Sequence, residues 1–527
     1  MNPYPHKTPG KPLKPALILA AAAIFAMIAP AQILADPGSA GGATDVQNAP
    51  TNNAPQTTSP PKPAPSAGLL NDWLREQAPA FRAWDIGGQF RIRYSDSEGA
   101  VPAASTMTSV PSSGKPQTTP VNPNNDFIAG KPNSSDELLL REKVHIGYTP
   151  VSWFSAFGEF RNSTENWDRR LPSPDTDKTD LQQAWVMLGD PAQFPLTAKI
   201  GRQELIYGDQ RFVGNSDWVN TGRTFDAAKL CWAQDSFWID AFASRVVVPH
   251  EDHFDEANDY DWFSGVYASS DKLLPWQESQ VYFLSRNVSP QAVSAAAPNV
   301  PGTPTTARDI YTFGFRMKSL PGKIGGWDYG IEAAGQLGSI YNATLKRRLE
   351  QEAYAVFANG GYTWEKAWGS PRLGLGYEGG SGDSNPNDGK SQTFDNLLGA
   401  SHRFYGQMNL FCERNMNIPR VSASIKPLKN LSLNGDYLLF WLADKHDYLY
   451  PASGSGRSSN GYGNNNPSSF VGSELDLTAN YDAGALGNLQ LGYGHFFIGD
   501  DIRQSVARNG GVAVDADWVY VQWQFNF

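Results

Sequence analysis

From Trp84 onward the chain divides into about eighteen segments of roughly ten residues in which apolar and polar side chains alternate, and the links between them alternate in length. The segments start near residues 84, 136, 152, 179, 196, 224, 236, 259, 277, 308, 326, 351, 370, 417, 430, 472, 487 and 515. Links after odd-numbered segments are mostly long and polar, as in 206–223, 380–416 and 443–471, whereas those after even-numbered segments are short, as at Thr149, Ala233, Leu428 and Asp482. Every second turn therefore falls on the same side of an antiparallel meander, with the long links expected outside. About ten tilted residues is also the strand length that crosses a bilayer. The last segment, "DADWVYVQWQFNF", carries Val519, Val521, Trp523, Phe525 and Phe527 on one face and alternates to the final residue. Such a strand can pair with the first and remove the free edges of the sheet, because unpaired backbone in lipid costs several kcal/mol per group. The expected fold is all-β, a transmembrane antiparallel β-barrel of outer-membrane type with about 18 strands over residues 84–527.

Composition agrees with this. The chain holds 16 Trp, 21 Tyr and 27 Phe with only 18% charged residues, yet mean hydropathy is −0.43. Beyond the amino terminus no run approaches the 18 or so apolar residues of a membrane helix. A soluble propeller or solenoid would show a repeat of fixed period, and none is found. Residues 1–35 read as a secretory signal, with Lys7, Lys11 and Lys14 before the apolar run from Ala16 to Ile28 and cleavage after Ala35. Export of this kind, with the barrel, makes the outer membrane of a Gram-negative cell the expected location. Residues 36–83 form a Pro/Ala/Ser-rich periplasmic leader, disordered apart from a short helical stretch at "LLNDWLREQ". Cys231 and Cys412 are expected to be unpaired and packed, although pairing in an oxidising compartment stays open. A net charge of −10 argues against nucleic acid.

With lipid outside, the polar face of each strand points inward. Ile86, Phe90, Ile92 and Tyr94 then go out and Gln89, Arg91 and Arg93 go in, while Val144, Ile146 and Tyr148 leave Arg141, Lys143 and His145 inside. The same alternation directs Glu159, Arg161, Lys199, Lys229, Arg316, Glu332, Arg372, Arg420, Asp436, Glu474 and Asp476 into the lumen. The wall is mixed but leans basic in the first third of the chain, which favours an anionic passenger, since guanidinium forks meet carboxylates in bidentate fashion. Each single charge could instead pair with a neighbouring acid and stiffen the wall. Tyr94, Tyr148, Trp153, Trp238, Trp441 and Trp523 suit interfacial girdles, and Trp185 and Trp518 are candidates for an inward sugar platform. No GxSxG or HExxH motif occurs, no clustered His/Cys ligand set suggests zinc, and Asp500–Asp501 alone does not make a glycosidase dyad, so neither an enzyme nor a cofactor is implied.

The stretch "LTAKIGRQELIYGDQRFVGNSDWVNTGRTFDAAKL" (Leu196 to Leu230), with "TDLQQAWVMLGD" before it and "SELDLTANYDAGALGNLQLGYGHFFIGDD" later, resembles the alginate export family of outer-membrane porins. The core of the resemblance is Gly201-Arg202-Gln203 followed by Arg223 to Asp226. It implies an eighteen-stranded monomeric barrel with an arginine-rich conduit that the arginine matching Arg202 lines. Strict alternation from Ile200 instead turns Arg202 toward lipid, so either a bulge intervenes or, the preferred reading, Arg202 lies above the membrane band. The expected conduit set is Arg91, Arg93, Arg141, Lys143, Arg161, Lys199, Arg202, Lys229, Arg316, Arg372 and Arg420. The expected cargo is alginate or a related uronate exopolysaccharide. The alternatives are an uptake porin for small organic anions and a surface-binding or adhesion barrel acting through its long loops. Expected partners are that cargo, outer-membrane lipid, the barrel assembly machinery and periplasmic export proteins.

Overall fold

The computed structural model describes residues 69–101, 126–167, 175–250, 253–291, 306–342, 345–385, 387–400, 402, 404–452 and 466–527. The expected signal sequence and the leader up to residue 68 lie outside the described residues. Helix α1 (Leu69–Gln77) and a 3-10 turn (Pro79–Ala83) lead into the sheet. Its strands are β1 (Trp84–Glu98), β2 (Ser135–Val151), β3 (Phe154–Asn166), β4 (Asp177–Leu188), β5 (Leu196–Gln203) and β6 (Phe225–Gln234). The next six are β7 (Phe237–Val248), β8 (Glu256–Leu274), β9 (Gln277–Val288), β10 (Arg308–Ser319), β11 (Lys323–Asn342) and β12 (Arg347–Thr363). They are followed by β13 (Arg372–Gly380), β14 (Met416–Leu428), β15 (Leu431–Leu442), β16 (Phe470–Asp482), β17 (Asn488–Ile498) and β18 (Ala516–Asn526). The remaining member of the 19-stranded sheet is a two-residue strand, Lys390–Ser391, which runs parallel to β12 inside a loop. The barrel is therefore an eighteen-stranded antiparallel meander.

Closure is made by β18 lying antiparallel to β1 from Gln89↔Asn526 to Glu98↔Asp517. Beyond that register, Gly88 and Phe527 exchange both backbone hydrogen bonds at 3.0 Å, so pairing at the seam continues to the last residue. Faces follow the period of two. On β2, Val144 is 55% and Ile146 49% exposed while Arg141 between the strands is 1% exposed, which is what an outward apolar row against a filled interior produces. No helix among the described residues is long and apolar enough to cross a membrane.

The long links do not all stay outside. Residues 204–224, between β5 and β6, and residues 381–415, between β13 and β14, carry Leu205, Tyr207, Phe212, Val213, Phe394, Leu398 and Phe411, all buried in one apolar core with inward residues of the wall. Their hydrophobic content explains the inward turn, because leaving such side chains in water would forfeit roughly 1.5–3 kcal/mol each. The two loops meet through a parallel bridge between Val213 and Leu398. Helix α2 (Asp500–Arg508), between β17 and β18, buries Ile502 and Val506 in the same core. Both cysteines are free, with Cys412 buried in the second loop.

Candidate functional site

The register places like charges opposite one another on the inward face. Arg91 stands directly across from Arg141, Lys143 across from Arg161, and Lys199 across from Lys229. Directly opposed like charges destabilise a sheet, so this sector from β1 to β6 needs counter-charges, and Asp217 of the inward loop supplies one shared by three of the cations. Asp217 lies 2.8 Å from Arg141 Nη2, 3.8 Å from Arg91 Nη1 and 3.9 Å from Lys143 Nζ. Arg91 also donates to the Asp217 carbonyl at 2.7 Å and Arg93 to the Trp218 carbonyl at 2.9 Å. The Trp218 ring is held between the Arg93 guanidinium at 3.9 Å and the His402 ring at 3.6 Å. Burial pushes the Asp217 carboxyl up, but Arg141, Lys143 and Arg91 outweigh it and hold the group down to about 2.

The base of the loop is moored to the opposite wall. Asp209 bonds the buried Arg316 at 2.7 Å and Lys318 at 3.1 Å, and these cations overcome the effect of burial to hold it well below the usual carboxylate range. Arg211 pairs with Glu378 and lies 3.7 Å from Glu332, while the Tyr207 hydroxyl donates to Asp240 at 2.9 Å. Arg223, from the Arg-Thr-Phe-Asp segment, donates to the carbonyls of Gly214, Leu398 and Gly399 and so staples the two inward loops together. Loop 204–224 thus reaches across the lumen from β10 to β1 and β2.

Among the other expected conduit residues, Arg161 binds Asp177 and the Thr221 carbonyl. Lys229 bonds Asp240 at 3.0 Å. Lys199 lies over the Trp185 ring at 4.0 Å, with no carboxylate within 4.0 Å among the described residues. Arg372 bonds Asp328 at 2.6 Å, and Arg420 lies 3.6 Å from Glu378 and 3.7 Å from Asp436. The basic groups are therefore mostly paired rather than bare. A separate acidic sector lies on β15 and β16, with Asp436 directly opposite Asp476 and Glu474 two residues before the latter.

Arg202 lies one residue before the end of β5, with its side chain 11% exposed and 3.9 Å from the buried Asp180. It stands opposite Asp226 in the outward row that includes Ile200 and Leu230, which are 51% and 50% exposed, and makes a fork-on-fork pair with the Asp226 carboxylate at 2.9 and 3.3 Å. The alternation from Ile200 persists without a bulge, so the motif's arginine closes an outer ion pair at the end of β5. The motif's glycine has a backbone reason: Gly201 has φ +125°, and a Cβ there would stand 2.2 Å from the Ala184 carbonyl oxygen.

Trp238 is not a girdle residue. It is 7% exposed and packs inside against Tyr207 and Tyr267 at centroid distances of 6.3 and 5.9 Å. Neither expected sugar platform offers a free face. Trp185 is stacked on Phe157 with Lys199 on its ring, and Trp518 is buried against Tyr520 and Trp218. The residues that the sequence reading missed are those of the inward loops, Asp209, Arg211, Asp217 and Trp218; charged and aromatic residues interleaved in "GDQRFVGNSDW" are the signal that could have found them. Asp177, Asp180 and Asp255 bring one carboxylate oxygen each within 4.8 Å of one another. Arg161 binds Asp177 and lies 3.6 Å from Asp255, so a guanidinium already fills the cationic place there.

Among solved structures the chain is similar to OpdK of Pseudomonas aeruginosa crystallised with vanillate, at 12% identity and TM-score 0.50, covering 84% of this chain and 99% of that one. It is also similar to OccK2 (OpdF) of the same organism in complex with glucuronate, at 12% identity and TM-score 0.49, over 84% and 98%. A third is OccAB4 of Acinetobacter baumannii, at 10% identity and TM-score 0.48, over 84% and 98%. At such identities the likeness concerns the fold. No curated protein sequence matches the chain. The fold and the match to the alginate export profile over residues 117–514 are those of an outer-membrane channel, and the chain belongs to the alginate export family.

Proposed function

We propose that the barrel conducts a carboxylate-bearing anion, with an exported uronate polysaccharide such as alginate as its cargo. The observation that carries this reading is the three directly opposed like-charged pairs, Arg91–Arg141, Lys143–Arg161 and Lys199–Lys229, on the inward face of β1 to β6. A wall selected for stability alone would alternate its charges, whereas stacked cations offer a passing anion several weak sites in succession. A change of about 1.4 kcal/mol in the barrier at one such site alters flux tenfold. A second reading, uptake of small organic anions, is favoured by the inward loop 204–224, which reaches across the lumen and leaves a polymer less room than a small anion. Recordings in planar bilayers test both. The native channel should pass chloride in preference to potassium and be blocked by soluble polyuronate; block by monomeric organic anions alone would support uptake, and a cation-selective channel indifferent to both would remove the anionic cargo.

A further inference from the structure

Asp217 occupies the position in which a cargo carboxylate would be met. Arg91, Arg141 and Lys143 converge on its single carboxylate. Arg91 and Arg141 also share its carbonyl oxygen, and Arg93 takes the next one. Two acceptor types, carboxylate and neutral oxygen, thus fill the same donors that the carboxylate and hydroxyls of a uronate residue would engage. The Asp217 side chain remains 41% exposed while that of Arg141 behind it is fully buried, so the acid lies on the open side of the wall groups it covers. The residue before it, Ser216, has φ +50°, a left-handed conformation that a serine rarely adopts. The tip and the base of the loop are held separately, because Asp209 and Arg211 bind the far wall. Asn220, fully buried, anchors the other end through Asp175 and the carbonyls of Leu140 and Thr164, so the stretch that can move is 216–218.

We propose that Asp217 is a tethered competitor for the conduit's carboxylate site, and that a cargo carboxylate displaces it and draws residues 216–218 away from β1 and β2. The idea rests on the anionic-cargo reading above. A built-in competitor lowers apparent affinity by the fraction of time the site is free, which lets a polymer move on rather than lodge. It also keeps the opposed arginines neutralised when no cargo is present. Asp217 is held near 2 and so remains ionised at every pH the cell meets.

The test uses the full barrel in planar bilayers with free glucuronate as the probe. Asp217→Asn should tighten block by glucuronate about tenfold, Asp217→Glu should restore the native value, and Arg141→Gln should abolish block in either background. A Ser216→Cys thiol, buried in the docked tip, should be labelled faster when glucuronate is added to an otherwise unaltered chain. Unchanged block in Asp217→Asn, or labelling indifferent to glucuronate, overturns the tethered competitor while leaving the basic site in place provided Arg141→Gln still weakens block. A native channel that glucuronate does not block at all, with Arg141→Gln identical to it, overturns the anionic-cargo reading and this proposal with it.

Discussion

Arg91 and Arg141 face each other across β1 and β2 and donate to the same acceptor, the Asp217 carbonyl oxygen, at 2.7 and 3.0 Å. Two cations that would repel are thereby joined through a loop that belongs to neither strand. Arg141→Ala should loosen the tip, because the Asp217 carboxylate then keeps only Arg91 and Lys143, each nearly 4 Å away, and its carbonyl keeps only Arg91. The expected result is a larger, noisier single-channel current. Heat-modifiable gel migration should not change, since the strand ladders that it reports do not involve this side chain.

Acid should undock the same tip in a defined window. Asp217 has a folded value of about 2 against an ordinary 3.8, depressed by Arg141, Lys143 and Arg91 against the partial desolvation that raises it. A depressed acid contributes stability that is complete above its ordinary value and is lost as pH falls through the folded one. Docking should therefore be constant from neutral pH down to about 4 and weaken between about 4 and 2, with Asp209 titrating lower still. Conductance followed across that range in native and Asp217→Asn channels checks this: the native current should change below about pH 4, and the variant's should not.

The junction of the two inward loops depends on a residue without a side chain. A Cβ at Gly399 would stand 1.8 Å from the Arg211 carbonyl oxygen, which is backbone and cannot rotate away. Gly399→Ala should separate the Val213–Leu398 bridge and disturb the Arg223 staple, leaving the strands intact. Cells carrying the variant should admit large antibiotics that the native barrel excludes, at equal amounts of folded protein in the outer membrane. Unchanged permeability would show that the loops do not occlude the lumen.

The period of two made the barrel legible, because one face of every strand must meet lipid, and even the direction of Arg202 followed from Ile200 by counting. The resemblance pulls the other way by implying a conduit role for Arg202, whose fork the structure pairs with Asp226. The sequence directs Trp238 to a girdle because a bulky ring on a strand suits an interface; its inner partners are Tyr267 of the wall and Tyr207 from a loop. Loops have no period, so their direction could not be read by alternation. Their apolar content, Phe212 or Phe394 for example, was the available sign that they turn inward.

One buried acid in the second inward loop sets a pH dependence of opposite sign. Glu413 is fully buried, and burial pushes the group up to about 7 against the pull of its own backbone N–H, the Tyr405 hydroxyl, Arg414 and Arg211. An acid raised in the folded state costs nothing below its ordinary value, and its penalty grows as pH rises until the folded value is passed. The rise from 4.5 to about 7 corresponds to a penalty on the order of 3 kcal/mol above pH 7. Glu413→Gln removes the ionisation while keeping the shape. The variant should resist protease at loop 381–415 to a higher temperature than the native protein at pH 8, and the two should coincide at pH 4, where both side chains are neutral. Equal resistance at pH 8 would mean that the carboxyl is ionised and compensated in the folded loop.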